Sequence, residues 1–176
     1  MNEVLNAIAK RSSTRAYTEQ KLTKEELSSL VAAGLQAPTS NNEQEIHITV
    51  LDGSNPILAE IEEEKNKTMG LYNPQNNFYC GAPTVLILSG AANFYWSKVD
   101  AGVAAENIAI AAESMGLGSL IVGCIKDAMF GEKKAHFADA LKFPEGYEFE
   151  ISIALGHKAF EKEQHEYSVE KSVTYL

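Results

Sequence analysis

The run Arg11-Ser12-Ser13-Thr14-Arg15-Ala16-Tyr17 carries two guanidinium groups and three hydroxyls. Guanidinium forks and hydroxyls hold phosphate through charge-assisted, often bidentate hydrogen bonds, so the chemistry this run suits is capture of an anion. The chain around it has a net charge of -9 and a pI near 4.9. A field of that sign repels nucleic acid and anionic membranes, which leaves one small anion as the better fit. Two readings stand for the run by itself: a phosphate site, or solvated residues between two helices.

A second polar run, Pro38-Thr39-Ser40-Asn41-Asn42-Glu43-Gln44, also has two readings. Its residues dominate turns. They also offer hydroxyl and carboxamide groups that donate and accept, as a ring with edge carbonyls and nitrogens requires. Other chemistries lack their motifs. Gly116-Leu117-Gly118-Ser119-Leu120-Ile121 has no third glycine and runs from helix into strand, the reverse of a dinucleotide fingerprint. There is no P-loop, no nucleophile elbow around Ser89 and no H-E-x-x-H; His47, His136, His157 and His165 lie without ligand spacing. Without paired carboxylates or a nucleophile and base, an enzyme of this sequence relies on a cofactor for its chemistry.

The elements that must position these runs follow from periodicity and punctuation. Val4, Leu5 and Ile8 form the apolar stripe of a short helix that delivers the chain to Arg11. Thr23 and Glu26 have capping-box spacing before Leu27, Leu30, Val31 and Leu35, and Ala37-Pro38 closes that helix. Ile46, Ile48 and Val50 alternate as a strand; Asp52-Gly53 turns, and Asn55-Pro56 starts a helix with Ile57, Leu58 and Ile61 inward. Glu60, Glu62, Glu63 and Glu64 read as its solvated face. Residues 66–79 lack a period but are rich in apolar side chains, and read as a candidate pocket wall.

Thr84 to Leu88 reads as a strand covered on both faces. Asp100 to Met115 is apolar nearly all round, which places it in the centre of the fold or in a subunit interface, and Gly116 stops it. Ser119–Ile125 reads as a strand and Lys133–Phe143 as a helix with Phe137 and Leu141 inward. Phe149, Ile151, Ile153 and Leu155 alternate as a further strand before a polar tail in which Val169 and Val173 are the residues able to dock. With no repeat or linker, residues 1–176 are expected to form one domain. Cys80 and Cys124 lie far apart, and neither an apolar leader nor a membrane-length run occurs; a cytoplasmic protein is expected.

Taken together, these segments resemble the FMN-dependent nitroreductase family. The resemblance runs through Arg11 to Tyr17, Ala37 to Gln44, Gly81-Ala82-Pro83, Asp100 through Asn107 into Met115 to Ser119, and Ala154-Leu155-Gly156-His157. It implies an α+β fold of three layers, α/β/α, with a central mainly antiparallel sheet, in a homodimer with FMN at the interface. It implies that Arg11, Ser12 and Ser13 hold the phosphate and ribityl chain, and Arg15 the phosphate or the pyrimidine edge. Pro38, Thr39, Ser40 and Asn42 correspond to a loop reaching the flavin from the partner subunit. Ile121, Val122, Gly123 and Cys124 correspond to the stretch beside ring N5, and the loop after Asn66, with Asn73, to further ring contacts.

Three departures from the family pattern stand out. Gly123-Cys124 replaces two glycines, Gln44-Glu45-Ile46 replaces Gln-Pro-Trp, and the tail offers Lys158, Lys162 and His165 where the family commonly has an Arg near the phosphate. The implied activity is an NAD(P)H-dependent flavin oxidoreductase acting on nitroaromatic or quinone-like acceptors, with NADH or NADPH as donor and no residue acting as acid or base. The alternative on the same scaffold is a flavin-binding or sensory dimer with little turnover, or an enzyme that consumes its flavin.

Overall fold

Local capping starts the helices where the sequence places them. In the computed structural model, which describes residues 2–69, 77–164 and 166–176, Asn2 caps α1 (Glu3–Lys10) by accepting from Leu5 N–H. Thr23 and Glu26 complete the reciprocal capping box of α2 (Lys24–Leu35), and Asn55 with Pro56 opens α3 (Pro56–Thr68). The remaining helices are α4 (Ser97–Ser114), α5 (Lys126–Met129), α6 (Lys134–Ala140) and α7 (Val169–Ser172). None is long and apolar enough to cross a membrane, among the described residues.

The strands β1 (His47–Asp52), β2 (Thr84–Ala91), β3 (Leu117–Val122) and β4 (Tyr147–His157) form one sheet in the order β1-β2-β4-β3. Every neighbouring pair is antiparallel. One face packs Val85, Ile87 and Phe149 against Leu58 and Ile61 of α3, Met129 of α5 and Phe137 of α6. The other packs Leu86, Leu88, Ile153 and Leu155 against Leu30 of α2 and Ala105, Ile108 and Ala112 of α4. Two cores flanking one sheet make the three layers that the resemblance implies. Helix α4 is the central one, and small residues let its neighbours approach closely: a Cβ on Gly34 of α2 would lie 2.8 Å from Ile108 Cδ1.

Several expectations need correction. The strand expected at Ser119–Ile125 is Leu117–Val122, because Gly116 at φ +74 ends α4 abruptly and the chain turns at Gly123, whose carbonyl accepts from Lys126 N–H at 3.1 Å. Phe149 does not share a face with Ile151, Ile153 and Leu155: an irregularity opposite Leu88 and Ser89 switches it to the α3 side. Val50 is exposed and Leu51 is the buried residue of β1. The expected helix to Phe143 stops at Ala140, where Leu141 caps it and Lys142 takes φ +58.

The acidic face of α3 is not simply solvated. Glu62 accepts from Phe78 N–H at 2.8 Å, Glu60 meets His136 at 2.9 Å, Glu64 pairs with Lys133 at 3.2 Å and Glu63 pairs with Lys67 at 2.7 Å. Helix α3 also extends through Thr68 into the stretch read as a loop, and Phe78 and Tyr79 return to the core. Asn73 lies outside the described residues. In the tail, Val169 and Val173 are exposed rather than docked.

Candidate functional site

The Arg11 run does not float between helices. Thr14 N–H donates to Ser119 C=O at 2.8 Å on the open edge of β3, next to a parallel bridge between Ser13 and Ser119. Thr14 is buried, and its side chain fills the space that a Cβ on Gly118 would need, at 2.7 Å. Further along, Thr18 N–H donates to His157 C=O at 3.0 Å and Ala159 N–H to Ala16 C=O at 3.1 Å. Tyr17 pins the crossing: its phenol lies 3.1 Å from Thr14 C=O and 3.3 Å from Ala154 C=O. Burial pushes that phenol well above its ordinary range, so it stays a donor.

Stitching the backbone leaves side chains available. Arg15 is exposed, and among the described residues neither its guanidinium nor the hydroxyls of Ser12 and Ser13 make a side-chain hydrogen bond or ion pair. Arg11 pairs through Nε with Glu106 of α4 at 3.4 Å. The Ser13 carbonyl accepts from Lys162 Nζ at 3.4 Å.

Ile121 and Val122 end the same strand, and Gly123 and Cys124 follow in the turn after it. Val122 is paired with Ser152 of β4, and its carbonyl accepts from the Ser152 hydroxyl at 2.7 Å. The carbonyl therefore faces β4. All described peptide bonds are trans, so the Gly123 N–H of the same peptide faces the opposite way. That is the open edge on which the Arg11 run lies. Ile121 and Cys124 are exposed. Desolvation pushes the Cys124 thiol up, against the pull of the Lys65 ammonium, so it is a neutral thiol and not an activated nucleophile. Lys65 is itself buried and paired with Asp127.

The Pro38 loop sits elsewhere. Residues Ser40–Asn42 make a single 3₁₀ turn; Thr39 Oγ1 accepts from Gln44 N–H at 2.9 Å, and Asn41, Asn42 and Gln44 all have φ between 51 and 57. Asp100, buried in the first turn of α4, accepts from Ser40 N–H at 2.8 Å and from its hydroxyl at 3.2 Å. Asp100 and Glu106 are six residues apart, about 9 Å along the axis and a third of a turn around it. Among the described residues no hydrogen bond or ion pair joins this loop to the Arg11 run.

Of the tail cations, Lys158 is engaged by carboxylates, Glu113 at 2.9 Å and Glu161 at 3.1 Å. Burial pulls its ammonium down, but those two carboxylates outweigh it and hold the group above its ordinary value. His165 lies outside the described residues. Sequence reasoning missed the roles of Asp100, Glu106 and Ser152. Two had a visible signal: Asp100 is an acid heading an apolar helix, and Ser152 is a hydroxyl inside an apolar strand.

The Nitroreductase family matches residues 8–157. The chain is 29% identical over 172 residues to a Bacillus subtilis (strain 168) protein named FMN reductase (NADPH), covering 90% of this chain and 67% of that one. Among solved structures it is similar to a nitroreductase with bound FMN from Desulfitobacterium hafniense DCB-2, at 28% identity and TM-score 0.89, covering 100% and 99% of the two chains. It is also similar to an FMN-dependent nitroreductase from Clostridium difficile R20291, at 25% identity and TM-score 0.85, with 99% of each chain covered. With 150 consecutive residues matched, most of its length, this chain belongs to the Nitroreductase family.

Proposed function

We propose that this protein is an FMN-dependent NAD(P)H oxidoreductase working in the cytoplasm as a homodimer, with residues 1–176 as one flavin-binding domain. The observation that carries the reading is the shared edge of β3. The Arg11 run is bonded to the β3 edge at Ser119, its Ser12, Ser13 and Arg15 side chains have no hydrogen bond or ion pair among the described residues, and Gly123 N–H faces outward at the other end of β3, in a chain of this family. That donor set fits the group: cationic and hydroxyl donors suit a phosphate and a ribityl chain, and a backbone N–H suits a ring acceptor. Arg11, Ser12 and Ser13 would hold the phosphate end, Arg15 the phosphate or pyrimidine edge, and Ile121, Val122, Gly123 and Cys124 the ring near N5. Lys158 and His165 are the tail contacts in this reading; Lys158 is held between Glu113 and Glu161 and would meet the phosphate by exchanging a carboxylate for it.

A flavin held by these residues would supply hydride-transfer chemistry between NADH or NADPH and a nitroaromatic or quinone-like acceptor. Arg15 contributes fixed positive charge at the pyrimidine edge rather than acid or base catalysis. Among the described residues no hydrogen bond or ion pair joins Pro38, Thr39, Ser40 or Asn42 to the Arg11 run of their own chain; in this reading they would complete the site of a second subunit. The exposed apolar side chains of α1 and α4, Val4, Leu5, Ile8 and Val99, supply a surface for that contact.

Replacing both Arg11 and Arg15 with Ala is expected to strip the yellow colour from the purified protein; full FMN retention would overturn this site. Anaerobic NADH or NADPH is expected to bleach the flavin band of the wild-type protein. No bleaching with either would favour a flavin-binding dimer with little turnover.

A further inference from the structure

Two buried hydroxyls form a relay that ends on one carbonyl at the end of β3. Ser152 is 0% exposed, and its hydroxyl donates to Val122 C=O at 2.7 Å. Tyr79, 3% exposed, donates its phenol to the same Ser152 oxygen at 3.4 Å. Ser152 lies between Ile151 and Ile153 in a strand otherwise apolar at this point, and Tyr79 belongs to the core on the α3 side. Burial pushes the Tyr79 phenol above its ordinary range, so it remains a donor at any working pH. Among the described residues these oxygens bond only to each other and to the Val122 carbonyl.

That carbonyl is one end of the peptide whose other end is the Gly123 N–H. A hydrogen bond to a peptide oxygen polarises the whole amide and makes its N–H a stronger donor, by an estimated 10–30% per bond. The Ser152 bond also fixes the rotation of the peptide plane just where the strand ends and ladder pairing stops. We propose that Ser152, oriented by Tyr79, is a positioning residue that sets the direction and donor strength of Gly123 N–H toward a ring acceptor of bound flavin. The inference rests on the flavin reading above. It gives that reading a way to tune redox poise from the core, with no side chain touching the ring.

The sign follows from the ring chemistry. A nitrogen that accepts a hydrogen bond when oxidised and carries its own hydrogen when reduced is favoured in the oxidised form by an N–H donor. Weakening that donor therefore favours reduction. In FMN-loaded protein, Ser152→Ala is expected to shift the oxidised-to-reduced affinity ratio about threefold, a midpoint potential ~14 mV more positive for a two-electron couple. Tyr79→Phe is expected to shift it in the same direction by less, and serves if Ser152→Ala does not fold. An unchanged or more negative potential in the folded variants would overturn the inference. Loss of FMN from both variants, with far-UV circular dichroism intact, would overturn it in favour of packing alone. Wild-type protein that takes up no FMN would instead overturn the flavin reading itself, and the inference with it.

Discussion

The backbone N–H and the hydroxyl of Ser40 both donate to the carboxylate of Asp100, at 2.8 and 3.2 Å. One buried acid in the first turn of α4 thus holds the loop that carries Pro38, Thr39 and Asn42. Asp100→Ala is expected to cost about 2 kcal/mol, since it orphans a backbone donor and a hydroxyl together. Urea unfolding measures this, and a change below about 0.5 kcal/mol would show that the loop holds itself.

The contact between Thr14 and Gly118 makes a second prediction. A Cβ at residue 118 would sit 2.7 Å from the Thr14 side chain, and the neighbour that must move is the run pinned to the edge of β3. Gly118→Ala is expected to destabilise by about 1–3 kcal/mol, as overpacking does, and to weaken FMN binding more than Gly102→Ala, where nothing lies within 4 Å. Flavin fluorescence titration of the two variants compares them; equal affinities would dissociate the edge from the site.

Arg11 and Glu106 separate stability from ligand capture. Their contact is partly exposed, at 24% and 47% of the side chains, so its loss is worth no more than about 1 kcal/mol. Glu106→Gln is expected to leave thermal unfolding nearly unchanged and to tighten FMN by removing a charge that competes with phosphate. Arg11→Ala is expected to weaken FMN at least tenfold. Tighter binding in Arg11→Ala would contradict the phosphate role.

Glu150 sits where β4 is irregular, and its carboxyl is pushed up to about 7, chiefly by burial, with Glu148 and Glu45 raising it further and Lys98 opposing them. A folded value above the unfolded one means that the folded state holds the extra proton. Its stabilising contribution is complete below about pH 4.5 and is lost as pH rises through 7. Discounted for partial exposure, the loss is about 1 kcal/mol. Glu150→Gln is expected to flatten stability between pH 5 and 8 in urea titrations; a slope equal to wild type would assign it to other groups.

How much of this could be read in advance depended on the range of the interaction. The capping box of Thr23 and Glu26, the Asn55-Pro56 start and the Gly116 stop involve neighbours in the chain, and all stand where the pattern puts them. Phe149 was misplaced because one irregularity in β4 reverses a period-two pattern, and only the partner strand decides whether it forms. Glu60, Glu62 and Glu64 read as solvent-facing because their partners, His136, Phe78 and Lys133, are distant in sequence.

The donor types in Arg11 to Tyr17, the polar Pro38 loop and the family to which they belong were legible in the chain alone, because composition and order are local properties of the chain. Only the tertiary structure decided that the Arg11 run is stitched to the edge of β3 and that Gly123 N–H faces the same edge. It also decided that the Pro38 loop is anchored on a different side of α4. These facts depend on hydrogen bonds such as Thr14 to Ser119 and Ser152 to Val122, which form only once sheet pairing has closed the distance between residues far apart in the chain.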